Sequence, residues 1–155
     1  MKPAILRPAT ILPPPLIYFA NLAVAWALNR SISLHMDSGP MGSGIGWSLV
    51  GLGVVGFAWA MSAIWPQRTT VNPYKAASTL VTSGPFRFSR NPIYVSDWLV
   101  YAGVMFLLQT WWALWLAPLV WVLMRYQVIR HEEAHLQAKF GAAYTAYCKS
   151  VRRWL

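Results

Sequence analysis

The sequence predicts an all-α integral membrane protein with about four transmembrane helices, followed by a cytoplasmic amphipathic helix at the C-terminus. Of its 155 residues, 57% are hydrophobic and only 11% are charged, whereas about a quarter of the residues in a typical soluble domain carry charge. Ten tryptophans indicate the same class of protein, because amphipathic rings favour the membrane–water interface. A chain of this length is expected to form one domain, residues 1–155.

Four apolar runs are each close to the ~20 residues that a helix needs to cross the hydrocarbon. The first is residues 13–28, whose prolines suit a first helical turn. The second is 45–65, where glycine and alanine would let neighbouring helices approach closely. Between these runs, DSGPMGSGIG (37–46) is typical of a turn-forming loop. The third and fourth runs, 93–109 and 111–129, are so close in sequence that they must form a tight helical hairpin.

Basic residues predict the orientation of the chain in the membrane. Lys and Arg outnumber Asp and Glu by 13 to 4, for a net charge of +9, and they concentrate before the first run, within 66–91 and after the fourth run. By the positive-inside rule, both termini and the 66–91 connection are cytoplasmic, and we expect a multi-pass protein of a bacterial inner membrane. Membrane lipids are therefore the expected partners. The chain has no nucleic-acid-binding motif, and its single cysteine excludes an internal disulfide.

Asn91-Pro92 is expected to begin the third helix, and Arg87 and Arg90 flank that helix start. The free N–H groups of a helix start favour anions. A ligand carboxylate or phosphate could therefore be held by Arg90, Asn91 and the helix N-terminus. The alternative is that both arginines anchor the topology by contacting lipid phosphate. Charge alone favours the two interpretations about equally.

Two blocks of sequence resemble the isoprenylcysteine carboxyl methyltransferase family and its phospholipid methyltransferase relatives. LVTSGPFRFSRNPIY (80–94) resembles the first family block, L-V-x-x-G-x-[YF]-x-x-x-R-[HN]-P-x-Y. EEAHLQAKFGAAYTAYCKSV (132–151) resembles the second, E-E-x-x-L-x-x-x-F-G-x-x-Y-x-x-Y. The blocks occur in the family's order, with a helical hairpin between them. The resemblance implies a membrane methyltransferase that binds S-adenosylmethionine between these blocks, without a Rossmann domain.

The resemblance places the cofactor in a region made of residues 69–94 and 125–147. Carried over position by position, it assigns the following cofactor-binding residues: Ser78, Thr79, Leu80, Val81, Phe86, Arg90, Asn91, Pro92, Ile93, Tyr94 and Glu132. Phe86 stands where eukaryotic members have tyrosine, Asn91 where they have histidine, and Ser78 also replaces a histidine. The family's substrate-binding arginine is replaced by Val128. Arg125 and Arg130 are the nearest basic residues on the expected substrate side.

The expected reaction moves the sulfonium methyl of the cofactor to a lipid-like or prenylated acceptor, such as the carboxylate of a prenylated cysteine. A carboxylate acceptor needs no base, whereas an amine or thiol could lose its proton to Glu133 or a histidine. Asp97, within the third run, is a candidate functional carboxylate. A helix–helix hydrogen bond near the cytoplasmic surface is the slightly favoured alternative for this residue. Periodicity does not distinguish Glu132 from Glu133, and only the resemblance assigns the cofactor contact to Glu132.

HEEAH (131–135) matches the zinc-protease pattern H-E-x-x-H. No Asp, Glu or His follows His135 to supply a third ligand. Both histidines are also expected to project away from the apolar stripe Leu136–Phe140–Tyr144, so no metal site is predicted. Tyr144 and Tyr147 are expected to pack the C-terminal helix onto the hairpin. Three further alternatives are a phospholipid amine N-methyltransferase, a reductase of sterol-like lipids and a non-enzymatic lipid-binding scaffold.

Overall fold

A computed structural model describes residues 13–67 and 79–155, and within these ranges the chain is helical with no strand. The helices are α1 (Pro14–Ser31), α2 (Gly39–Ile64), α3 (Pro92–Leu107), α4 (Trp112–Leu123) and α5 (Arg130–Ser150). A π-helical segment, Met124–Ile129, joins α4 to α5 into one continuous helix. Short 3₁₀ turns occupy Trp65–Gln67 and Gly84–Arg87. The all-α prediction is therefore confirmed for the described residues.

Two of the described helices, α2 and the continuous helix Trp112–Ser150, are long and apolar enough to cross a membrane. α3 is apolar but shorter, at 16 residues. Large apolar side chains remain exposed on several helices, for example Phe19 (69%), Trp47 (66%) and Trp115 (72%). Such a surface would be unfavourable in water but suits contact with lipid. A count of four spans stays a prediction.

α2 packs closely along α3 through glycines, as the Gly-rich second run predicts. A methyl group at Gly53 would lie 2.8 Å from the Ser96 carbonyl oxygen and 3.0 Å from the Val100 nitrogen. One at Gly46 would lie 3.0 Å from the carbonyl oxygen of Gly103. The pairing of 46 with 103 and of 53 with 96–100 shows that the two helices are antiparallel. Since these neighbours are backbone atoms, only glycine permits the approach.

The main core lies where α1, α3 and α4 meet. Ala25 and Val120 are fully buried there. The Tyr101 hydroxyl lies 2.6 Å from both the Asn21 Oδ1 and the Ala113 carbonyl oxygen. These polar contacts join the three helices where no water would satisfy the groups.

The start of α2 and the connection between α3 and α4 test two predictions made from the sequence. The expected loop 37–46 is wrong over most of its length, because α2 begins at Gly39 with Pro40 in its first turn. Gly46 serves packing against α3 there, whereas a methyl group at Gly42 would meet the side chain of Ser38. The tight hairpin is confirmed, since α3 ends at Leu107 and α4 begins at Trp112. Its turn pairs with the α1–α2 connection through a bond from the Met36 N–H to the Gln109 carbonyl, 2.8 Å.

We expect Gly53→Ala to destabilise the protein by ~1–3 kcal/mol, because the added methyl must push α2 away from the α3 backbone. Gly51→Ala is the matched control, since nothing lies within 4 Å of that position. Thermal unfolding in detergent measures both. Equal melting temperatures for the two variants would show that the helices are not in tight contact.

Candidate active site

The two sequence blocks meet at a hydrogen bond between the first turns of α3 and α5. The hydroxyl of Tyr94 donates to the Oε1 of Glu132 over 2.8 Å. Tyr94 is 8% exposed, so this hydroxyl has little access to solvent. Thirty-eight positions separate the two residues, and the hairpin of α3 and α4 brings them together. This bond joins two residues that the resemblance assigns to the cofactor.

Glu132 lies three residues beyond the apolar part of the continuous helix, 112–129. Burial raises the pKa of its carboxyl to about 7, and the neighbouring Glu133 adds to the rise, while the Tyr94 hydrogen bond opposes it. No described residue forms an ion pair with Glu132. The described residues therefore leave this carboxyl without a neutralising cation.

Glu133, unlike Glu132, is paired with cations, because two arginines bind its carboxylate. Arg153 donates from Nε to Oε1 over 2.7 Å and from Nη2 to Oε2 over 2.9 Å. The Nη1 of Arg90 lies 3.5 Å from the same Oε1. A bidentate pair of this kind fixes the carboxylate in one orientation. The predicted role of Glu133 as a proton acceptor stays a prediction, and its oxygens are already occupied by guanidinium N–H groups.

The start of α3 is bound by the residues that follow α5. The N–H of Arg90 donates to the Arg152 carbonyl over 2.9 Å, and the side-chain amide of Asn91 donates to the Arg153 carbonyl over the same distance. Ser89 Oγ donates to that carbonyl as well, over 3.3 Å. Arg90 also donates from Nη1 to Cys148 Sγ over 2.8 Å. We call residues 148–153, with these bonds, the C-terminal clasp.

The clasp is the part of the site that sequence reasoning missed. Arg153 appeared only as one of several basic residues after the last span, and Cys148 only as a lone thiol. A helix start able to hold an anion was predicted at Arg90 and Asn91. The carboxylate that lies beside Arg90 in the structure belongs to the chain itself, at Glu133.

A second apolar cluster joins the first block to α5. Tyr144, Tyr147 and Val151 form its buried centre, and the surrounding members are Leu80, Leu136, Phe140 and Cys148. The Tyr147 hydroxyl donates to the Phe86 carbonyl over 2.7 Å. The stripe Leu136–Phe140–Tyr144 is thus confirmed as a packing face. Its partner is the first block, however, and not the hairpin that was expected to receive Tyr144 and Tyr147.

α5 is not one regular amphipathic helix, because it is kinked at Gly141, where φ is 49° and ψ is −118°. That backbone region is readily available only to glycine. The kink redirects the last turns of α5, Tyr144 to Ser150. The chain then reaches the clasp and contacts the start of α3.

The histidines of HEEAH differ from each other in burial. His131 is exposed, as expected, whereas His135 is only 8% exposed, so the expectation that both project to water or headgroups is wrong for His135. The buried face of α5 is wider than the apolar stripe alone indicates. Across residues 13–67 and 79–155, no three His, Cys, Asp or Glu side chains come together as metal ligands.

The remaining residues predicted for the site differ in their exposure. Leu80, Val81, Phe86 and Ile93 are half-buried, Pro92 is buried and Thr79 is exposed, while Ser78 lies outside the described residues. The Arg125 guanidinium lies 5.6 Å from the Trp121 ring centre and that of Arg130 lies 5.3 Å from the Tyr126 ring centre. Arg125 belongs to the π-helical segment, a geometry that is frequent at functional sites.

The model of the phospholipid methyltransferase family matches residues 42–143. The chain belongs to the phospholipid methyltransferase family. The match includes most of α2, all of α3 and α4, Tyr94 and Glu132, and it ends before the clasp. No curated protein and no solved structure matches the chain. Membership, together with the apolar helices, makes the protein a membrane methyltransferase of lipid-like substrates.

We expect Arg153→Ala to open the clasp, and Cys148 offers a direct readout because it is the only thiol. A partly exposed charged pair contributes ~1 kcal/mol, which corresponds to about five-fold faster thiol modification. Arg152→Ala is the matched control, since its exposed side chain forms no hydrogen bond or ion pair with the described residues and only its carbonyl serves the clasp. Indistinguishable labelling rates for the two variants would argue against the clasp.

Proposed function

We propose that the protein transfers a methyl group from S-adenosylmethionine to a lipid-like acceptor, at the site centred on Tyr94 and Glu132. The family match over 42–143 is the observation that carries this proposal. The Tyr94–Glu132 hydrogen bond supports it further, because it brings the two cofactor-binding blocks together.

The residues at this site fit the chemistry of the cofactor. S-adenosylmethionine is a cation with a sulfonium, an amino group and ribose hydroxyls. Glu132 carries a carboxylate that no described cation neutralises, so it can accept hydrogen bonds and complement the positive charge. The rings of Phe86 and Tyr94 can pack on adenine or attract the sulfonium. Residues Thr79–Val81 and Arg90–Ile93 would line the rest of the cofactor pocket.

This site needs few catalytic side chains. When bound, S-adenosylmethionine supplies an activated methyl group, so the protein has to bind, orient and desolvate the two reactants. Glu132 would hold the donor. Arg125 and Arg130 lie on the segment before it and are proposed to face the acceptor, where they would attract an anionic part of the lipid.

Two acceptor classes remain compatible with the family. One is the carboxylate of a prenylated cysteine or a similar lipid acid, which requires no base. The other is a phospholipid amine, which the phospholipid methyltransferase match also supports. Both would reach the site from the bilayer. The proposed topology has four spans, with both termini and the 66–91 connection on the cytoplasmic side, where the cofactor is available.

Calorimetric titration of the detergent-solubilised protein with S-adenosylmethionine tests the proposal. Loss of a charge-assisted hydrogen bond costs ~1.5–3 kcal/mol, so Glu132→Ala should weaken binding by about 10–100-fold. His131→Ala is the matched control, because His131 is the exposed neighbour of Glu132 on the same helix turn. Unchanged affinity in Glu132→Ala would show that the site is elsewhere.

The raised pKa of Glu132 makes cofactor affinity depend on pH. Its carboxyl is half protonated near pH 7, and only the ionised form complements a cation. Affinity should therefore fall as the pH decreases through 7, by roughly ten-fold between pH 8 and pH 6. Glu132→Gln, which cannot titrate, should bind weakly and equally at both values. A wild-type affinity that is flat over this range would contradict the assignment.

A further inference from the structure

Arg90 and Tyr94 reach two adjacent glutamates of α5 from the same end of α3. Tyr94 donates to the Oε1 of Glu132 over 2.8 Å, and the Nη1 of Arg90 lies 3.5 Å from the Oε1 of Glu133. Glu132 and Glu133 are neighbours in the chain, and neighbouring Cα atoms are only about 3.8 Å apart. A small rotation of the Arg90 side chain would therefore bring its guanidinium to Glu132 instead.

The guanidinium of Arg90 is poorly satisfied where it lies. Its side chain is 15% exposed, and its Nε is buried without a hydrogen-bond partner among the described residues. Its Nη1 donates to the Sγ of Cys148 over 2.8 Å, and sulfur is a weak acceptor. A buried charged donor that lacks a partner is unfavourable. Arg90 would therefore gain from pairing with any unpaired carboxylate within its reach.

Glu132 is such a carboxylate, and Glu133 is the group that keeps Arg90 away from it. Both ion pairs among the described residues go to Glu133. Its carboxylate holds Arg153 in a bidentate pair, over 2.7 and 2.9 Å, and lies beside Arg90 as well. The N–H of Arg90 donates to the Arg152 carbonyl, which fixes the point from which the side chain extends. The two adjacent glutamates thus compete for one guanidinium.

We propose that Glu133 is a positioning residue, which retains the Arg90 guanidinium and so keeps Glu132 free for the positive charge of the cofactor. The identity of that ligand rests on the proposed function, whereas the competition for Arg90 is a property of the chain alone. If the charge of Glu133 is removed, Arg90 pairs with Glu132. The cofactor would then have to displace an internal guanidinium.

The ionisation of Glu132 reports on this competition. Burial raises the pKa of its carboxyl to about 7, the bond from Tyr94 lowers it and the charge of Glu133 raises it. The other titratable groups one helical turn away are His135 on α5, which is buried, and Asp97 on α3. Asp97 forms no hydrogen bond or ion pair with the described residues, so the helix–helix bond favoured for it from the sequence is not found there. A guanidinium in contact with Glu132 would lower its pKa, because it favours the charged form.

Carbon-13 NMR titration of the detergent-solubilised protein tests the competition without the cofactor. Glu132 and Glu133 are the only glutamates of the chain, so glutamate labelling gives one carboxyl signal for each, and Glu133→Gln leaves the signal of Glu132 alone. We expect its midpoint to fall from about 7 by roughly one pH unit or more, which is about a ten-fold change in acidity. A midpoint that stays at the wild-type value would overturn the inference.

Two further variants separate contact with Arg90 from the loss of a neighbouring negative charge, which by itself lowers the pKa of Glu132. In the double variant Glu133→Gln, Arg90→Gln the guanidinium is absent as well, so the midpoint should return toward that of the wild type. Glu133→Asp keeps the charge and should keep the midpoint. The same low midpoint in the single and double variants would show that Arg90 does not approach Glu132.

Arg153→Ala is the control for a purely structural effect of opening the clasp. This variant removes the bidentate pair but leaves Glu133 charged and beside Arg90. Since Glu133 then has one cation fewer, it repels the charge of Glu132 more strongly, and the midpoint of Glu132 should stay or rise. A fall equal to that in Glu133→Gln would attribute the change to the open clasp and overturn the role assigned to Glu133.

Calorimetric titration with S-adenosylmethionine extends the test to binding. Glu133→Gln should weaken binding at pH 8 by about ten-fold or more, because the cofactor must displace a charge-assisted pair. Its affinity should also be nearly equal at pH 8 and pH 6, since Glu132 paired with Arg90 stays ionised over roughly that range. The double variant should regain part of the lost affinity. A Glu133→Gln variant that binds like the wild type at both values would contradict the inference.

The two measurements separate this inference from the proposed function. A wild-type protein that binds no S-adenosylmethionine overturns the proposed function, while the NMR midpoints still decide whether Glu133 retains Arg90. A protein that binds the cofactor, but whose Glu132 midpoint is the same with and without the charge of Glu133, overturns the positioning role alone.

Discussion

The ion pairs of Glu133 with Arg153 and Arg90 hold the site together. They tie the first turn of α5 to the C-terminal clasp and to the residue that precedes the α3 start. Because those two arginines are engaged by Glu133, they are not available to Glu132. The arrangement leaves Glu133 paired with two arginines and Glu132 without an ion pair to the described residues, although the two are adjacent in sequence and equal in chemistry.

The rest of the fold brings the start of α5, the start of α3 and the clasp together. Glycines let α2 lie against the backbone of α3, and the hairpin returns the chain so that the start of α5 reaches the start of α3. The kink at Gly141 then brings the last turns of α5 toward the first block. Closely packed helices position the side chains of the site, while hydrogen bonds to the Arg152 and Arg153 carbonyls of the clasp hold the irregular segment 89–91. A methyltransferase that relies on orientation rather than on many catalytic groups needs such a frame.

The distribution of charge connects structure to chemistry. A strongly basic chain suits an anionic membrane surface, yet its site is locally acidic around Tyr94. A cationic methyl donor fits that environment. The contrast arises because the basic residues lie at the ends of the apolar runs or in the clasp, whereas Asp97 and Glu132 form no ion pair with the described residues.

Composition and periodicity by themselves determined the all-α architecture, the apolar runs, the hairpin and the close packing of the Gly-rich helix, because each depends on local pattern and on the period of the helix. The residues of the two blocks also indicated Tyr94 and Glu132. Only the tertiary structure distinguished the environments of Glu132 and Glu133, because the fold brings Arg153 and Arg90 to Glu133. It also left the buried Tyr18 hydroxyl without a hydrogen-bond partner among the described residues. No spacing along the sequence records which hydrogen bonds tertiary packing leaves unmade.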